Sequence, residues 1–368
     1  MKNGIYITTE NIFDLNNNSN GVKKKINDQI ITLNITEELT CKSYVLPVHN
    51  SNSFIKLFSY LFFDTYKKLN LDFSIYDFIY IRRISPVNRS FINLLKNIKK
   101  KNIKCKILYE LPTYPYDTEH ITLRSKINLF IDKLFRNKLK YYIDRIITLS
   151  VDNMIFGIPT IRYKNGILSS NIKVRNPKES DKNIHFVIVA QFMIWHGYDR
   201  LIEGLKNYYD QKNTIKVCLH FVGDGNELYN YINLTEKLKL SEYVVFHGLL
   251  FDDKLTEMFD NSDIAVCSLG NHKMGIYLSS ELKSREYLAR GIPMVSSTKI
   301  DVLPDGFKYC FYVPEDDSPV DIKAIVEYFE KLKKEKNIIE VIKEIRSFAE
   351  KYCDVSITMK PIIDFLLN

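Results

Sequence analysis

Apolar runs of strand length alternate with amphipathic helical segments through the second half of the sequence, and this alternation limits the fold more than any other feature. The runs are "HFVIVAQF", "VCLHFVG", "YVVFHGLL", "DIAVCSL" and "PMVSS". Strands that are apolar on both faces and separated by helices are typical of a parallel sheet with helices on each side. We therefore predict an α/β fold built on a Rossmann-like parallel sheet.

The first half of the chain repeats this pattern less regularly. Its predicted strands are "GIYITT", "DFIYIRR", "KCKILYEL" and "RIITLS", and a long amphipathic helix is predicted over residues 123–142. A chain of 368 residues is longer than one ordinary hydrophobic core accommodates. We expect an N-terminal domain at 1–170, a C-terminal domain at 171–353, and a last helix at 354–368 that joins the N-terminal domain.

Composition excludes several classes of protein. The chain is 45% hydrophobic and 26% charged, which is typical of a folded globular protein. Its first residues lack the apolar core of a signal peptide, and no apolar run approaches the ~20 residues needed to span a bilayer. The six cysteines are scattered without a CxxC pair, so we expect buried, reduced thiols, a cytoplasmic location and no metal site built on cysteine.

Positive charge is concentrated in the first half of the chain. Residues 1–180 have a formal charge of +14, whereas the remainder has −6. Such a balance favours an anionic partner: a membrane surface, an anionic lipid-linked substrate or nucleic acid. A solvated lysine-rich surface explains the same balance equally well. The basic residues form no recognised nucleic-acid-binding module, so we expect no nucleic acid partner.

The stretch "SSELKSREYLARGIPMVSS" predicts an anion site at the start of a helix. Ser280 is the expected N-cap, and Lys283 and Arg285 lie at the positive end of the helix dipole. A di-anionic group such as a pyrophosphate, bound by the first backbone N–H groups, would explain two cations there. The alternative is that both cations are solvated or paired with Glu281.

Small and polar residues follow the other predicted strands of the same half. The carboxyl ends of parallel strands meet at one edge of a sheet, where ligands bind. We therefore expect a nucleotide site at this edge, although the spacing of a dinucleotide GxGxxG fingerprint is absent. The predicted donor-binding residues are Gly197, Gly223, Gly225, His247, Gly248, Ser279, Ser280, Glu281 and Leu282.

Several segments together resemble the family-four (group 1) retaining glycosyltransferases of the GT-B fold, of the bacterial capsule and exopolysaccharide type. They are "IVAQFMIWHGYDRLIEGL", "FVGDGNEL", "VVFHGLL", "LTEMFDNSDIAVCSL" and "LKSREYLARGIPMVSS", supported by "SNGVKKKINDQI", "YELPTYPYDTE" and "YKNGI". The resemblance covers most of residues 1–300. It implies two Rossmann-like domains facing a cleft, with the nucleotide-sugar donor on the C-terminal domain and the acceptor on the basic N-terminal one.

The resemblance also assigns roles to residues, with departures from the family pattern. Glu286 matches the second glutamate of the Glu-x7-Glu motif, which holds the ribose, but the first glutamate is replaced by Leu278. The arginine expected after the first donor-domain strand is Gln191, and the lysine before the glycine is His196. The residues expected to act in catalysis are Glu286, Lys283, His196 and His120; those expected on the acceptor side are Gly21, Arg83, Glu110 and Glu119.

The resemblance implies a retaining, metal-independent glycosyltransferase. It would transfer a sugar from a nucleotide-sugar donor to a lipid-linked or oligosaccharide acceptor in surface polysaccharide synthesis, with no cofactor. The amphipathic helix near residues 123–145 has a basic face that could meet anionic lipid at the inner face of the cell membrane. Two alternatives stay open: a catalytically idle nucleotide-sugar-binding protein and a sugar-nucleotide epimerase of the same fold.

Overall fold

The computed structural model describes residues 1–12, 21–47, 66, 69, 71–117, 122–177 and 183–368. The chain divides into two compact units. One comprises Met1–Lys164 together with Thr358–Asn368, and the other comprises Asn165–Ile357. Each is described by itself below.

The first unit is a largely parallel sheet with helices between its strands. The described elements are β1 (Lys2–Thr8), α1 (Gly21–Ile35), β2 (Leu39–Val45), β3 (Phe78–Arg82), α2 (Arg89–Lys101), β4 (Lys106–Leu111), α3 (Leu123–Phe135), β5 (Arg145–Thr148), β6 (Met154–Ile155) and β7 (Ile158–Arg162). The strand order is β2-β1-β3-β4-β5-β7-β6, and within it only β6 and β7 pair antiparallel. The predicted helix over 123–142 is wrong at its end, because Arg136–Tyr141 form a 3₁₀ helix that places Leu139 in the core.

The end of the chain packs on the first unit. The second unit ends within α10 (Val355–Thr358), and α11 (Lys360–Leu367) belongs to the first unit. The Lys2 ammonium donates to the carbonyl oxygens of Leu366 and Leu367, each at 2.7 Å, and Lys106 donates to the carbonyl of Phe365 at 2.8 Å. These lysines occupy the carbonyl end of α11, where the helix dipole favours a cation.

The second unit contains an entirely parallel sheet, ordered β10-β9-β8-β11-β13-β15, and a short β12–β14 pair. Its elements are β8 (Ile184–Gln191), α4 (Asp199–Asp210), β9 (Val217–Asp224), α5 (Leu228–Lys237), β10 (Val244–Gly248), α6 (Asp252–Asp260), β11 (Ile264–Val266), β12 (Leu278–Ser279), α7 (Leu282–Arg290), β13 (Met294–Ser296), β14 (Lys299–Ile300), β15 (Cys310–Tyr312), α8 (Ile322–Glu335) and α9 (Ile338–Tyr352). Buried apolar clusters lie on both faces of the sheet. The predicted α/β class is therefore confirmed for both units.

A buried carboxylate organises the core of the first unit. Glu110, fully buried on β4, lies 2.7 Å from the Lys25 ammonium and 2.9 Å from the Arg82 guanidinium. The hydroxyls of Tyr163 and Tyr80 donate to it at 2.6 and 2.9 Å. Burial alone would raise the pKa of Glu110, but the charges of Lys25 and Arg82 outweigh burial and hold that pKa well below its usual range.

The cysteines and the apolar character of the helices can be compared with what composition predicted. All six cysteines are free and buried, as expected. Within the described ranges, no helix has both the length and the apolar character needed to cross a bilayer.

Replacing Gly204 by alanine should destabilise the second unit. At a solvent-exposed helix position, a change from glycine to alanine stabilises the helix by about 1 kcal/mol. In α4, however, an added Cβ would lie 2.1 Å from the carbonyl oxygen of Val320, and overpacking of this kind costs about 1–3 kcal/mol. Urea unfolding measures the change. Asn207→Ala, on an exposed position of the same helix, serves as the control and should stay within about 0.5 kcal/mol of the wild type; a stabilising Gly204→Ala would contradict the packing.

Replacing Glu110 by glutamine should leave two buried cations without their counter-ion. We expect a loss of about 3–5 kcal/mol at neutral pH, measured by urea unfolding against the exposed control Glu37→Gln. Because the folded pKa is lowered, the contribution of Glu110 is complete above the unfolded pKa of about 4.3 and is lost as the pH falls through the folded value. The difference between wild type and Glu110→Gln should therefore shrink on acidification below about pH 4; a difference that does not depend on pH would contradict this account.

Candidate functional site

The helix of the predicted anion site begins one residue later than expected. Its N-cap is Glu281, and the prediction of Ser280 is wrong. The Ser280 hydroxyl is already used, because it accepts hydrogen bonds from the Asn165 backbone N–H and from the Arg285 guanidinium, both at 3.2 Å. The Glu281 side chain makes no capping hydrogen bond. The first-turn N–H groups are therefore those of Leu282, Lys283 and Ser284.

Arg285 points into the protein. Its side chain is fully buried, is paired with Asp301 and donates to the carbonyl oxygen of Asn165 at 3.1 Å. A buried arginine with a carboxylate partner is a structural cation. The second of the two cations at the start of α7 therefore needs no external anion.

Lys283 lies in a different environment. Its ammonium donates to the Tyr198 hydroxyl at 3.1 Å and to the Ser268 hydroxyl at 3.5 Å, and lies 3.7 Å from a Glu281 carboxylate oxygen. The same carboxylate accepts from the Ser268 hydroxyl at 2.8 Å and from its backbone N–H at 3.4 Å. Burial lowers the pKa of Lys283, while Glu281 beside it opposes that shift.

His196 completes this group of side chains. Its ring stacks on Tyr198 with centroids 5.4 Å apart, and its Nδ1 accepts from the Met193 backbone N–H at 3.0 Å. Burial and the charge of Lys283 lower the pKa of His196 to about 2. The ring is neutral at physiological pH and carries its proton on Nε2. We refer to Lys283, Glu281, Ser268, Tyr198 and His196 as the Lys283 cluster.

Two glycines allow the loops that form the Lys283 cluster to meet. Gly197 has φ +61°, and a Cβ there would lie 2.7 Å from the backbone nitrogen of Gly270. The N–H of Leu269 donates to the carbonyl of His196 at 2.7 Å. The loop after β8 therefore lies directly against the loop after β11.

Gly223 and Gly225 adopt backbone conformations that only glycine enters readily. Their φ angles are +135° and +151°, and a Cβ would lie 1.9 Å from the Ala190 carbonyl oxygen or 2.4 Å from the Phe192 nitrogen. Both glycines therefore let β8 and β9 end close together. Gly248 has φ +65° and open space beside it. Donor binding by these glycines stays a prediction.

His247 is part of a row of histidines across the sheet. Its Nε2 lies 3.0 Å from Nδ1 of His220, whose Nε2 lies 2.9 Å from Nδ1 of His185. Burial and the neighbouring histidines lower the pKa of His220 to about 4, and burial lowers the pKa of His247. The predicted donor contact of His247 would thus come from a ring already bonded to its neighbour.

Glu286 lies on α7 three residues after Lys283 and pairs with Arg290. Its carboxylate is 22% exposed and accepts from Arg290, one turn later, at 2.9 Å. Ser279 is buried, whereas Leu278 and Gln191 are exposed. The role of Glu286 at the ribose stays a prediction.

The described acceptor-side residues, Gly21, Arg83 and Glu110, lie in the first unit, where the Arg83 backbone N–H donates to the Glu110 carbonyl at 2.9 Å. Glu110 is buried in the network described above. Arg83 stacks 3.7 Å from the ring centroid of Tyr116, and Gly21 is exposed at the start of α1. Glu119 and His120 lie outside the described residues.

Three residues of the site were not predicted from the sequence. Ser268 follows a buried strand, so the rule that placed the other residues at strand ends could have found it. Tyr198 had no such signal, because its hydroxyl reaches Lys283 from the start of α4. Asn165 was noted only within "YKNGI", yet its side chain donates to the Ser280 carbonyl at 2.7 Å.

Comparison with known proteins gives a family match within the second unit. Residues 169–344 match the family model for glycosyl transferases group 1, and these residues lie within the second unit. A search of curated proteins gave no match.

Solved structures with this fold are distant in sequence. The HepE protein of Anabaena, in complex with UDP, is similar with a TM-score of 0.62 and 14% identity over 100% of both chains. The sucrose-phosphate synthase of Thermosynechococcus elongatus is similar with a TM-score of 0.63 and 12% identity. The lipopolysaccharide outer core galactosyltransferase WaaB is similar with a TM-score of 0.59 and 15% identity. Each comparison covers 100% of this chain and 99% of the other chain. These likenesses confirm the predicted GT-B fold.

Proposed function

We propose that the protein is a retaining, metal-independent glycosyltransferase that uses a nucleotide-sugar donor. The observation that carries the proposal is the Lys283 cluster. It places one ammonium, a neutral histidine and the first turn of α7 together beside the ends of β8 and β11, in a domain that matches the glycosyltransferase group 1 family model. Solved structures of the Anabaena protein contain UDP, UDP with glucose, and UDP-glucose.

The chemistry of transfer requires stabilisation of a leaving diphosphate. The bond between the anomeric carbon and the phosphate oxygen breaks with both electrons on that oxygen, and the acceptor oxygen bonds to the carbon and loses its proton. Lys283 and the first-turn N–H groups of α7 would stabilise the new charge, since fixed donors in a water-poor site act most strongly on developing charge. His196 would add an Nε2–H hydrogen bond instead of a charge.

Retention and metal independence belong to the same proposal. The leaving phosphate would accept the acceptor's proton on the face it has just left, which preserves the anomeric configuration. With Lys283 and α7 at the diphosphate, a divalent cation is not required to balance the leaving charge.

A catalytically idle nucleotide-sugar-binding protein is the second candidate. It is favoured by Leu278 and Gln191, which replace the glutamate and arginine of the family pattern, and by the bond that Glu286 already makes to Arg290. An epimerase of the same fold would use the nucleotide sugar without an acceptor.

We further propose a lipid-linked acceptor reached at an anionic membrane, supported by an exposed apolar stripe on α3. Leu123, Ile127, Phe130 and Leu134 are 78%, 37%, 64% and 49% exposed. At 3.6 residues per turn they fall within an arc of roughly 60°. Apolar side chains on one helix face with lysines beside them are typical of interfacial helices, and the exposed Lys126 lies beside this stripe.

Nucleotide binding tests the first proposal. Thermal unfolding should be recorded with UDP-, GDP-, TDP- and CMP-sugars, with and without EDTA. A ligand at 100 times its Kd stabilises the native state by about 2.7 kcal/mol, so we expect one nucleotide class to raise Tm, without effect of EDTA. Glu286→Ala and Lys283→Met, each compared with its own ligand-free Tm, should lose most of the increase. Glu315→Gln, an exposed charge change, should retain it; no increase with any nucleotide would contradict the proposal.

Turnover separates the candidates. Release of free nucleoside diphosphate from the donor found above should depend on added lipid-linked saccharide extracted from bacterial membranes. Binding without release would favour the idle protein. Conversion of the donor without any acceptor would favour the epimerase.

Vesicle binding tests the membrane proposal. The full chain should co-sediment with vesicles containing anionic phosphatidylglycerol more than with phosphatidylcholine alone, and Phe130→Ser with Leu134→Ser should abolish most of that difference because both exposed apolar groups are lost. Ile103→Ser removes an apolar residue outside α3 that is more exposed than either of these and should change little. Equal losses in both variants would contradict a role for the stripe.

A further inference from the structure

Glu281 occupies an unusual position for a carboxylate in a site meant for phosphate. It is the N-cap of α7, but its side chain turns away from the helix to Ser268 and Lys283. The Glu281 and Lys283 side chains are only 16% and 15% exposed, so their mutual attraction is weakly screened by water. His196 is neutral and adds no charge. The Lys283 cluster is therefore electrically balanced without a ligand.

An anion that bonds to Lys283 must come close to Glu281. The ammonium and the carboxylate oxygen are 3.7 Å apart, and a phosphate oxygen bonded to the ammonium would lie about 2.8 Å from it. The phosphate and Glu281 would thus be less than about 7 Å apart, within the range where like charges repel in a partly buried site.

Glu281 keeps hydrogen-bond donors when its ion pair with Lys283 is broken. The Ser268 hydroxyl and backbone N–H both donate to it, at 2.8 and 3.4 Å. These donors hold the carboxylate in place when the ammonium turns to another partner. Lys283, in turn, keeps the Tyr198 hydroxyl as a neutral partner at 3.1 Å.

On the basis of the proposed function, we propose that Glu281 is a positioning residue and the built-in counter-ion of Lys283: a bound nucleoside diphosphate competes with it for the ammonium, and its repulsion promotes release of the product. Transfer leaves the electron pair of the broken bond on the terminal phosphate, which then has one more ionisable oxygen than in the donor. The repulsion is therefore greater for the product than for the donor. Release of product limits turnover in many enzymes.

Removal of the Glu281 charge should tighten product binding. We expect Glu281→Gln to bind the nucleoside diphosphate about tenfold more tightly than the wild type and to release it more slowly. The reason is that repulsion between two charges at this distance in a partly buried site lowers affinity about tenfold or more. Affinity and dissociation rate are measured on the full chain with UDP, GDP and TDP, and with uridine, guanosine and thymidine. The nucleosides carry no phosphate, so their affinity should not change.

A double-mutant cycle assigns the effect to Lys283. In a Lys283→Met background, Glu281→Gln should tighten binding by less than it does in the wild type, because the competition for the ammonium is gone and only the direct repulsion between carboxylate and phosphate remains. Glu315→Gln makes the same change of net charge at an exposed position and should leave affinity unchanged.

The outcomes separate the inference from the function on which it rests. If the wild type binds a nucleoside diphosphate and Glu281→Gln binds it equally or more weakly, Glu281 is not a competitor and the inference is overturned. An equal gain for nucleosides, or a gain that is undiminished with Lys283→Met, overturns it as well. If neither the wild type nor Glu315→Gln binds any nucleoside diphosphate, the proposed function fails and the inference fails with it.

Discussion

The buried ion pair between Arg285 and Asp301 is the interaction on which the candidate site depends. Arg285 is fully buried and also donates to the Ser280 hydroxyl, so it fixes the segment that leads into α7. Removing one partner of such a pair costs about 3–5 kcal/mol, because an uncompensated charge is left inside the protein. Lys283 lies two residues earlier, on the opposite side of the helix from Arg285. Its ammonium contacts the hydroxyls of Tyr198 and Ser268.

This division of the two cations sets the electrostatics of the site. Arg285 is neutralised within the core, and Lys283 is balanced by Glu281 at 3.7 Å. His196 stays neutral because burial and the nearby ammonium oppose its protonation. A site built in this way remains stable when empty and offers one exchangeable cation, together with the N-terminus of α7, to an anion.

The sequence predicted the parts of the structure that follow from periodicity. The apolar runs became strands of both sheets, and "LKSREYLAR" became α7. Three strands of the first sheet, β2 at one edge and β7 with β6 at the other end, were not predicted, since they are short or partly exposed and lack a continuous apolar run. Side-chain direction was also beyond the sequence. Neither the inward turn of Arg285 nor the bond of His247 to His220 has a signal in residue spacing, because both depend on residues far away in the chain.

The most direct test of the account is a crystal structure of the full chain with the nucleoside diphosphate that it binds. The account predicts a phosphate oxygen within about 3 Å of the Lys283 ammonium and beside the first turn of α7. It also predicts that Glu281 remains hydrogen-bonded to Ser268 and that Arg285 remains paired with Asp301. A diphosphate bound away from α7, or held there while Lys283 keeps its contact with Glu281, would contradict the central claim.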